Sequence, residues 1–135
     1  MSSMQRQTLQ PPGWATPKGY SNGVSVRGRQ IYLAGQIGWN ESQQLVSSSL
    51  AAQLRQALQN IVALLAQAGG GPEHLVRLTW FVTDVDEYRR EVKEIGAAYR
   101  EVIGRHFPPM SVVQVAGLVE QGAKVEIEAT AVIPE

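Results

Sequence analysis

The sequence has 135 residues, of which 44% are apolar and 18% charged, and this composition is typical of a single globular domain spanning residues 1–135. Twelve Lys and Arg residues balance twelve Asp and Glu residues, so no net charge attracts nucleic acid or an anionic membrane surface. The absence of cysteine excludes disulfides, thiolate catalysis and cysteine-ligated zinc, and it favours the cytoplasm. The polar N-terminus is unlike a secretory signal, and no apolar run approaches the roughly 18 residues that span a bilayer.

The first predicted elements are two short strands. Val24 and Val26 alternate with polar residues, which is the pattern of a half-buried strand. Arg27 and Gly28 have the composition of a tight turn, after which residues 30–34 resume as a second strand. We therefore predict that these two strands pair with each other as a β-hairpin.

A long helix is predicted at residues 47–68. Serines 47–49 offer N-caps, and three glycines followed by Pro72 end the helix. Apolar residues recur every three or four positions and form one stripe, which consists of Leu50, Leu54, Leu58, Ile61 and Leu65.

The second half predicts a strand, a second helix and two closing strands. The first of these strands covers residues 75–83, and the closing strands cover residues 111–116 and 124–133. Asp84 and Glu87 have the spacing of a capping box at the start of the helix, which runs to about residue 106. Its apolar stripe consists of Tyr88, Val92, Ile95, Tyr99, Val102 and Ile103.

These elements predict an α+β fold, in which two helices pack on one face of a mixed sheet of five or six strands. Two helices can cover only one face of such a sheet. The strand at residues 75–83 nevertheless has apolar side chains on both sides: Val76, Leu78, Trp80 and Val82 on one, Leu75 and Phe81 on the other. The uncovered face therefore needs a partner, and a second copy of the chain is the simplest one.

Two carboxylates share one face of the last strand. Glu126 and Glu128 are two residues apart, so their side chains point the same way. The opposite, buried face is taken by Val125, Ile127, Ala129 and Ala131. Such a pair can supply a general acid or base if one carboxylate is desolvated. The alternative is a surface or interface strand whose glutamates form salt bridges, because such pairs are more often structural.

The range 107–132 resembles the signature of the Rid family, the reactive intermediate deaminases, also called endoribonuclease L-PSP-like proteins. The signature is a Pro-x-Arg-Ser run followed by a hydrophobic-Glu-Ile-Glu strand, and Met110 stands where the arginine is expected. The residues that match are Pro108, Pro109, Ser111, Val125, Glu126, Ile127 and Glu128. The resemblance continues over most of the chain, from Tyr20 to Val132.

The resemblance implies a chorismate-mutase-like fold and a homotrimer, with an inner β-barrel, outer helices and substrate clefts between neighbouring subunits. The implied reaction is hydrolysis of an enamine or imine to a keto acid and ammonia, without cofactor or metal. In that reaction the arginine binds the substrate carboxylate through two parallel hydrogen bonds.

The resemblance also assigns site residues. Glu126 matches the glutamate that positions water, and Tyr20 matches the tyrosine after the N-terminal loop, so these are the predicted catalytic residues. Ala34 stands where a serine is often found, and Gly96 where an asparagine is often found. The predicted ligand-binding cleft consists of Ala34, Gly35, Trp39, Gly96, Tyr99, Met110 and Ser111.

Met110 changes what the cleft can bind, because a methionine is apolar and offers no hydrogen-bond donor. A substrate carboxylate facing it loses about 3 kcal/mol or more. Together with Trp39, Met110 favours a planar or aromatic ligand, unless Trp39 only packs against a neighbouring subunit. The alternative is that Met110 belongs to the core and another arginine replaces the missing one, the candidates being Arg27, Arg29, Arg77 and Arg105.

Three functions are consistent with these residues. The first is a divergent Rid-type protein that binds or hydrolyses a small imine or enamine other than the standard 2-imino acid. The second is a non-catalytic trimer that senses a small molecule or binds a protein. The third is an endoribonuclease or translation inhibitor, which we rank last because aromatic residues do not interleave with Lys and Arg.

Overall fold

The computed structural model describes residues 6–135. A 3₁₀ turn at Pro72–His74 precedes the fourth strand. In chain order the strands and helices are β1 (Arg6–Leu9), β2 (Gly23–Val26), β3 (Arg29–Ile37), α1 (Leu50–Gln67), β4 (Leu75–Val82), α2 (Val85–Arg90), α3 (Val92–Val102), β5 (Met110–Gln114) and β6 (Val125–Ile133).

Four strands form the main sheet, in the order β3-β6-β4-β5. β6 is antiparallel to both β3 and β4, whereas β5 runs parallel to β4, so the sheet is mixed. The helices pack on one face of this sheet. The predicted α+β class is confirmed, but the six strands divide into this sheet and a separate pair, β1 and β2, and do not form one larger sheet.

The predicted hairpin is wrong. β2 pairs with β1, and β3 pairs with β6. A two-residue hairpin turn needs a positive φ at its first central residue, and Arg27 does not adopt one. Gly28 has a φ of 148° and lies so close to Ile133 that an added Cβ would be 2.4 Å from the Ile133 carbonyl oxygen. The chain at Gly28 therefore passes from the small sheet to the edge of the main one.

The predicted apolar stripe of α1 is buried throughout, and it packs in one core with Leu78 and Ile127 of the sheet. The Ser49 side chain caps the helix by accepting a hydrogen bond from the backbone N–H of Ala52. The second predicted helix is divided at Glu91 into α2 and α3, and Asp84 caps α2 by accepting from two backbone N–H groups.

Leu75 lies on the helix side of the sheet, not on the side predicted for it. It is fully buried in the same core as Leu78. The register of β4 against β6 shifts between Leu75 and Arg77, and such an irregularity reverses the alternation of side chains. On the opposite face, Phe81 is half-buried and Tyr32 is 70% exposed, so this face does carry apolar surface.

Gln53 is a fully buried polar side chain on α1. Its Nε2 donates to the carbonyl oxygens of Ser47 and Gly122, at 2.9 and 3.0 Å. Its Oε1 accepts from the backbone N–H of Lys124 at 2.8 Å. The side chain therefore satisfies three backbone groups and ties the start of α1 to the segment entering β6.

We expect Gln53→Leu to lower the free energy of unfolding by about 2–4 kcal/mol, because it leaves those three backbone groups without partners. Gln59→Leu is the matched control, since Gln59 is exposed on the same helix. Urea denaturation of both variants measures the difference. Equal stabilities would contradict the assignment of Gln53 as the link between these segments.

His106 connects the end of the helical region to β4. Its Nε2 lies 2.7 Å from the carbonyl oxygen of Leu75, and since a carbonyl can only accept, Nε2 carries the hydrogen. Burial lowers the pKa of His106 below its ordinary value of 6.5, and the nearby cation of Arg6 lowers it further, while the hydrogen bond to Leu75 opposes the shift. The fold therefore favours the neutral imidazole.

A lowered pKa predicts that stability falls on acidification. Below pH 6.5 the unfolded chain binds a proton at His106 before the folded chain does, so stability is lost as the pH falls through the folded-state pKa. Thermal unfolding between pH 8 and pH 5 should show a smaller decrease in His106→Gln than in the wild type. An NMR titration that places the His106 pKa at or above 6.5 would contradict this.

Candidate functional site

A pocket of about 310 Å³ lies between α3, β5 and the loop that ends at Tyr20. We call it the β5 pocket. It brings together four residues of the predicted site, namely Tyr20, Gly96, Tyr99 and Met110, and its wall also includes Trp80 and Phe107. The sequence positions that the prediction placed in one cleft therefore meet, in part, within a single chain.

Ser21 holds Tyr20 beside Met110. The Ser21 hydroxyl donates to the carbonyl oxygen of Phe107 at 2.6 Å, and its backbone N–H donates to that of Pro108 at 3.3 Å. Ser21 also forms an isolated parallel bridge with Pro109. These contacts attach the N-terminal loop to the segment that leads into β5.

Stacked aromatic rings form one wall of the β5 pocket. The ring centroids of Trp80 and Tyr99 are 6.0 Å apart and those of Tyr99 and Phe107 are 5.7 Å apart, while Tyr88 meets Trp80 edge-on at 6.5 Å. The Tyr99 hydroxyl donates to the carbonyl oxygen of His106 at 2.5 Å. Burial raises the pKa of both Tyr88 and Tyr99, so the wall is uncharged at neutral pH.

Met110 and Ser111 face opposite sides of the sheet. Met110 pairs with Leu78 and packs, half-buried, against the core, so the interpretation of Met110 as a core residue is partly right. Ser111 pairs with Thr79 on the other side. Ser111 lines a second, smaller depression of about 230 Å³, which it shares with Tyr20, Met110 and Arg77. We call this the Ser111 depression.

The arginines proposed as substitutes for the missing one are placed differently. Arg77 lines the Ser111 depression but not the β5 pocket. Arg29 donates to the carbonyl oxygen of Ala68 at 2.7 Å, and the exposed Arg27 and Arg105 line neither cavity. Arg100, which the sequence interpretation missed, does line the β5 pocket. Its signal was its position four residues after Gly96 on the same helix, since such residues share a helix face.

Glu126 is half-buried on β6, away from the β5 pocket. Its side chain lies against Gly35, where an added Cβ would be 2.6 Å from Glu126 Oε2. Gly35 and Ala34 lie at the irregularity in the pairing of β3 with β6, between Leu33 and Gln36. The missing side chain of Gly35 therefore leaves the space that the Glu126 carboxylate occupies.

Glu128 is exposed on the same face of β6 and lines a third depression with Arg77 and Tyr32. Within residues 6–135, neither Glu126 nor Glu128 forms an ion pair or a side-chain hydrogen bond. The alternative of a surface strand whose glutamates form salt bridges therefore gains no support within one chain, and salt bridges of these glutamates at an interface between copies stay a prediction.

Trp39 lies apart from both groups. It forms a bridge with Leu45 after the end of β3, and its carbonyl oxygen accepts from Asn60 at 2.9 Å. It lines a broad polar depression beside α1 with Asn40 and Gln56. The aromatic surface of the β5 pocket is therefore formed by residues other than Trp39.

One chain thus divides the predicted site into a binding part and a carboxylate part. The β5 pocket has no carboxylate among its described lining residues, and Glu126 lies outside that lining. Across residues 6–135, three or more His, Asp or Glu side chains nowhere cluster as metal ligands would, and no helix in that range is long and apolar enough to cross a membrane.

Comparison with known proteins relates the whole chain to one family. The sequence model of the family described as Endoribonuclease L-PSP matches residues 13–133. The human 2-iminobutanoate/2-iminopropanoate deaminase is 38% identical, over 98% of this chain and 93% of its own length. The protein of the same name from Escherichia coli K12 is 36% identical, over 84% and 86%.

A solved structure agrees with this relationship. The crystal structure of YyfB, a Rid-family protein from Yersinia pestis, superposes with a TM-score of 0.83 at 30% identity, covering 96% of this chain and all of that one. The range matched by the family model, residues 13–133, includes the main sheet, the three helices and the loop that ends at Tyr20. The chain belongs to the Endoribonuclease L-PSP family, of which the Rid proteins are members.

Proposed function

We propose that the chain is a divergent Rid-family deaminase that binds and hydrolyses a small imine or enamine other than the standard short-chain 2-imino acids. The observation that carries this is the β5 pocket, which joins Tyr20 to an apolar, aromatic cavity with Met110 in its wall. The relatives named as deaminases of 2-iminobutanoate and 2-iminopropanoate supply the reaction class.

We infer that the functional cleft is shared between copies of the chain in a homotrimer. Hydrolysis needs the Glu126 carboxylate close to the bound imine, and within one chain the two are apart. Glu126 lies on the face of the sheet that the helices leave uncovered, where Tyr32 and Val113 are exposed. A second copy that packs on that face and extends past the edge strand β5 buries this apolar surface and brings its own Glu126 to the open side of its neighbour's β5 pocket.

The proposed reaction is a simple hydrolysis. Glu126 accepts a hydrogen bond from a water molecule and takes its proton as the oxygen attacks the carbon of the C=N bond. That proton moves to nitrogen and gives an amino alcohol. Glu126 then transfers the hydroxyl proton to the same nitrogen, the C–N bond breaks, and ammonia leaves with the bonding electrons while a C=O bond forms. The Tyr20 hydroxyl, at the mouth of the pocket, orients the substrate by hydrogen bonding.

The predicted selectivity follows from Met110. A methionine at that position cannot donate a hydrogen bond to a carboxylate. A short 2-imino acid therefore loses its paired hydrogen bonds, which lowers its affinity by about a hundredfold or more. The stacked surface of Trp80, Tyr99 and Phe107 favours a substrate with a planar apolar body.

The first test of the proposal is the oligomeric state. Light scattering at micromolar concentration should give about three times the 14.7 kDa chain mass. Val113→Glu places a charge on the uncovered face and should yield smaller species, whereas Ala66→Glu, on the exposed side of α1, should remain trimeric. A wild-type monomer at this concentration would refute the shared cleft.

The second test compares two imines, both generated in place by an L-amino-acid oxidase and followed by keto-acid appearance. The wild type should accelerate hydrolysis of 2-imino-3-phenylpropanoate and leave 2-iminopropanoate near the uncatalysed rate. Glu126→Gln should remove the acceleration. Met110→Arg should gain activity on 2-iminopropanoate, by about tenfold or more, because it restores the paired hydrogen bonds.

Met110→Lys serves as the control for this assay, since it adds charge without a planar fork. A wild type that accelerates neither imine would contradict the deaminase proposal and favour the non-catalytic trimer. A wild type that is fully active on 2-iminopropanoate would contradict the selectivity argued from Met110. The endoribonuclease function gains no support from the β5 pocket, whose walls are largely apolar and aromatic.

A further inference from the structure

We propose that Arg100, assisted by Lys18, supplies the anion-binding group that Met110 cannot, so that the β5 pocket takes an organic anion with a planar apolar body. This deepens the proposed function, because it rests on the β5 pocket being the substrate site. It assigns the anion to the α3 side of the pocket, one helix away from the strand position at which the family signature has its arginine.

The geometry of α3 directs Arg100 into the pocket. Helical side chains tilt towards the N-terminus of their helix, so a residue covers the turn before it. Arg100 therefore lies over Gly96, and a Cβ added to Gly96 would be 3.4 Å from Arg100 Nη1. A larger side chain at position 96, such as the asparagine that the family often has, would occupy the space beside the guanidinium. An anion site at Arg100 then explains both the small residue at position 96 and the missing arginine at position 110.

The charges around the pocket favour an anion. Lys18 and Arg100 both line it, and none of its described lining residues is acidic. The ion pairs found within residues 6–135 use Arg55, Arg89, Lys124 and His74, and none involves Arg100 or Lys18. Glu101, next to Arg100, instead pairs with Arg55 at 3.3 Å. Two unneutralised cations at one cavity create a positive local potential.

The pocket also has an unused hydrogen-bond donor in its wall. Trp80 lines the cavity and is 3% exposed, and its indole Nε1 is buried without an acceptor among residues 6–135. Buried donors are normally paired in native proteins, either with protein or with an ordered molecule. This nitrogen has less than 1 Å² of accessible surface, so an acceptor atom of a ligand reaches it only if the aromatic wall opens on binding. The two lining cations and the stacked aromatic rings favour the same kind of occupant, a planar anion.

Phenylpyruvate is a suitable probe, since it has a ring, a carboxylate and the stable ketone in place of the imine. The neutral comparison is phenylacetone, which has the same ring and ketone without the carboxylate. Calorimetric titration of the wild-type trimer should show tighter binding of phenylpyruvate, by about tenfold or more. Because Arg100 is exposed on one side, this preference should weaken as sodium chloride is raised to about 0.5 M.

Arg100→Gln should abolish the preference for phenylpyruvate and its salt dependence, while phenylacetone binding stays within about threefold of the wild type. Lys18→Gln should reduce the preference in part. Arg105→Gln is the matched control, because Arg105 is exposed just beyond α3 and does not line the pocket. Circular dichroism and light scattering of each variant verify that fold and assembly are retained.

Two outcomes would overturn the assignment: phenylpyruvate binding by folded Arg100→Gln that equals the wild type, or a wild type that does not distinguish the acid from the ketone. Glu126→Gln separates this inference from the proposed function, since it should stop hydrolysis but keep the binding preference. Binding lost in Arg100→Gln without any turnover in the wild type would support the anion site and reject the deaminase. Turnover by the wild type, with phenylpyruvate binding unchanged in Arg100→Gln, would support the deaminase and reject the anion site.

Discussion

The apolar stripe of α1 packs with Leu78 and Ile127 in a single core, so the helices cover only one face of the four-stranded sheet. The opposite face is left with exposed tyrosine and valine side chains and with Glu126. This asymmetry separates the β5 pocket from the predicted catalytic carboxylate, because the pocket opens between α3 and β5, whereas Glu126 projects from the uncovered face. In the proposed trimer, covering that face and completing the site are the same event, so stability and activity depend on one interface.

Two departures from the family signature, Met110 and Gly96, are both consistent with the proposed anion site at Arg100. Met110 removes a cation from β5, Gly96 removes a side chain from α3, and Arg100 extends over the space that Gly96 leaves. Each change alone would only weaken a site built for a short 2-imino acid. In the proposed site, the positive charge lies on the helix instead of the strand, beside the stacked aromatic wall. An anion with a longer, planar body fits that arrangement better than a short 2-imino acid does.

Local patterns predicted most of the fold and part of the site. The stripe of α1, the cap at Asp84 and the alternation around Glu126 depend on period and spacing, which the sequence shows directly. The hairpin prediction was wrong because tertiary contacts decide which strands pair. Gly28 packs on Ile133, and β2 pairs with β1 instead of β3. The prediction for the side of Leu75 was wrong for a related reason. One irregularity in β4 reverses the alternation of side chains, and no sequence pattern indicates it.

The site residues show the same limit. Tyr20 and Met110 are ninety positions apart, and contacts of Ser21 with Phe107, Pro108 and Pro109 bring them together. Arg100 was missed by the sequence interpretation although it lies only ten positions before Met110, because only the folded structure shows that its side chain lines the β5 pocket. A binding residue is defined by the cavity it lines, and that cavity forms only when the loop, the helix and the strand meet. For a divergent family member, the cations that line the pocket are therefore a better guide to its ligand than the residue at the signature position.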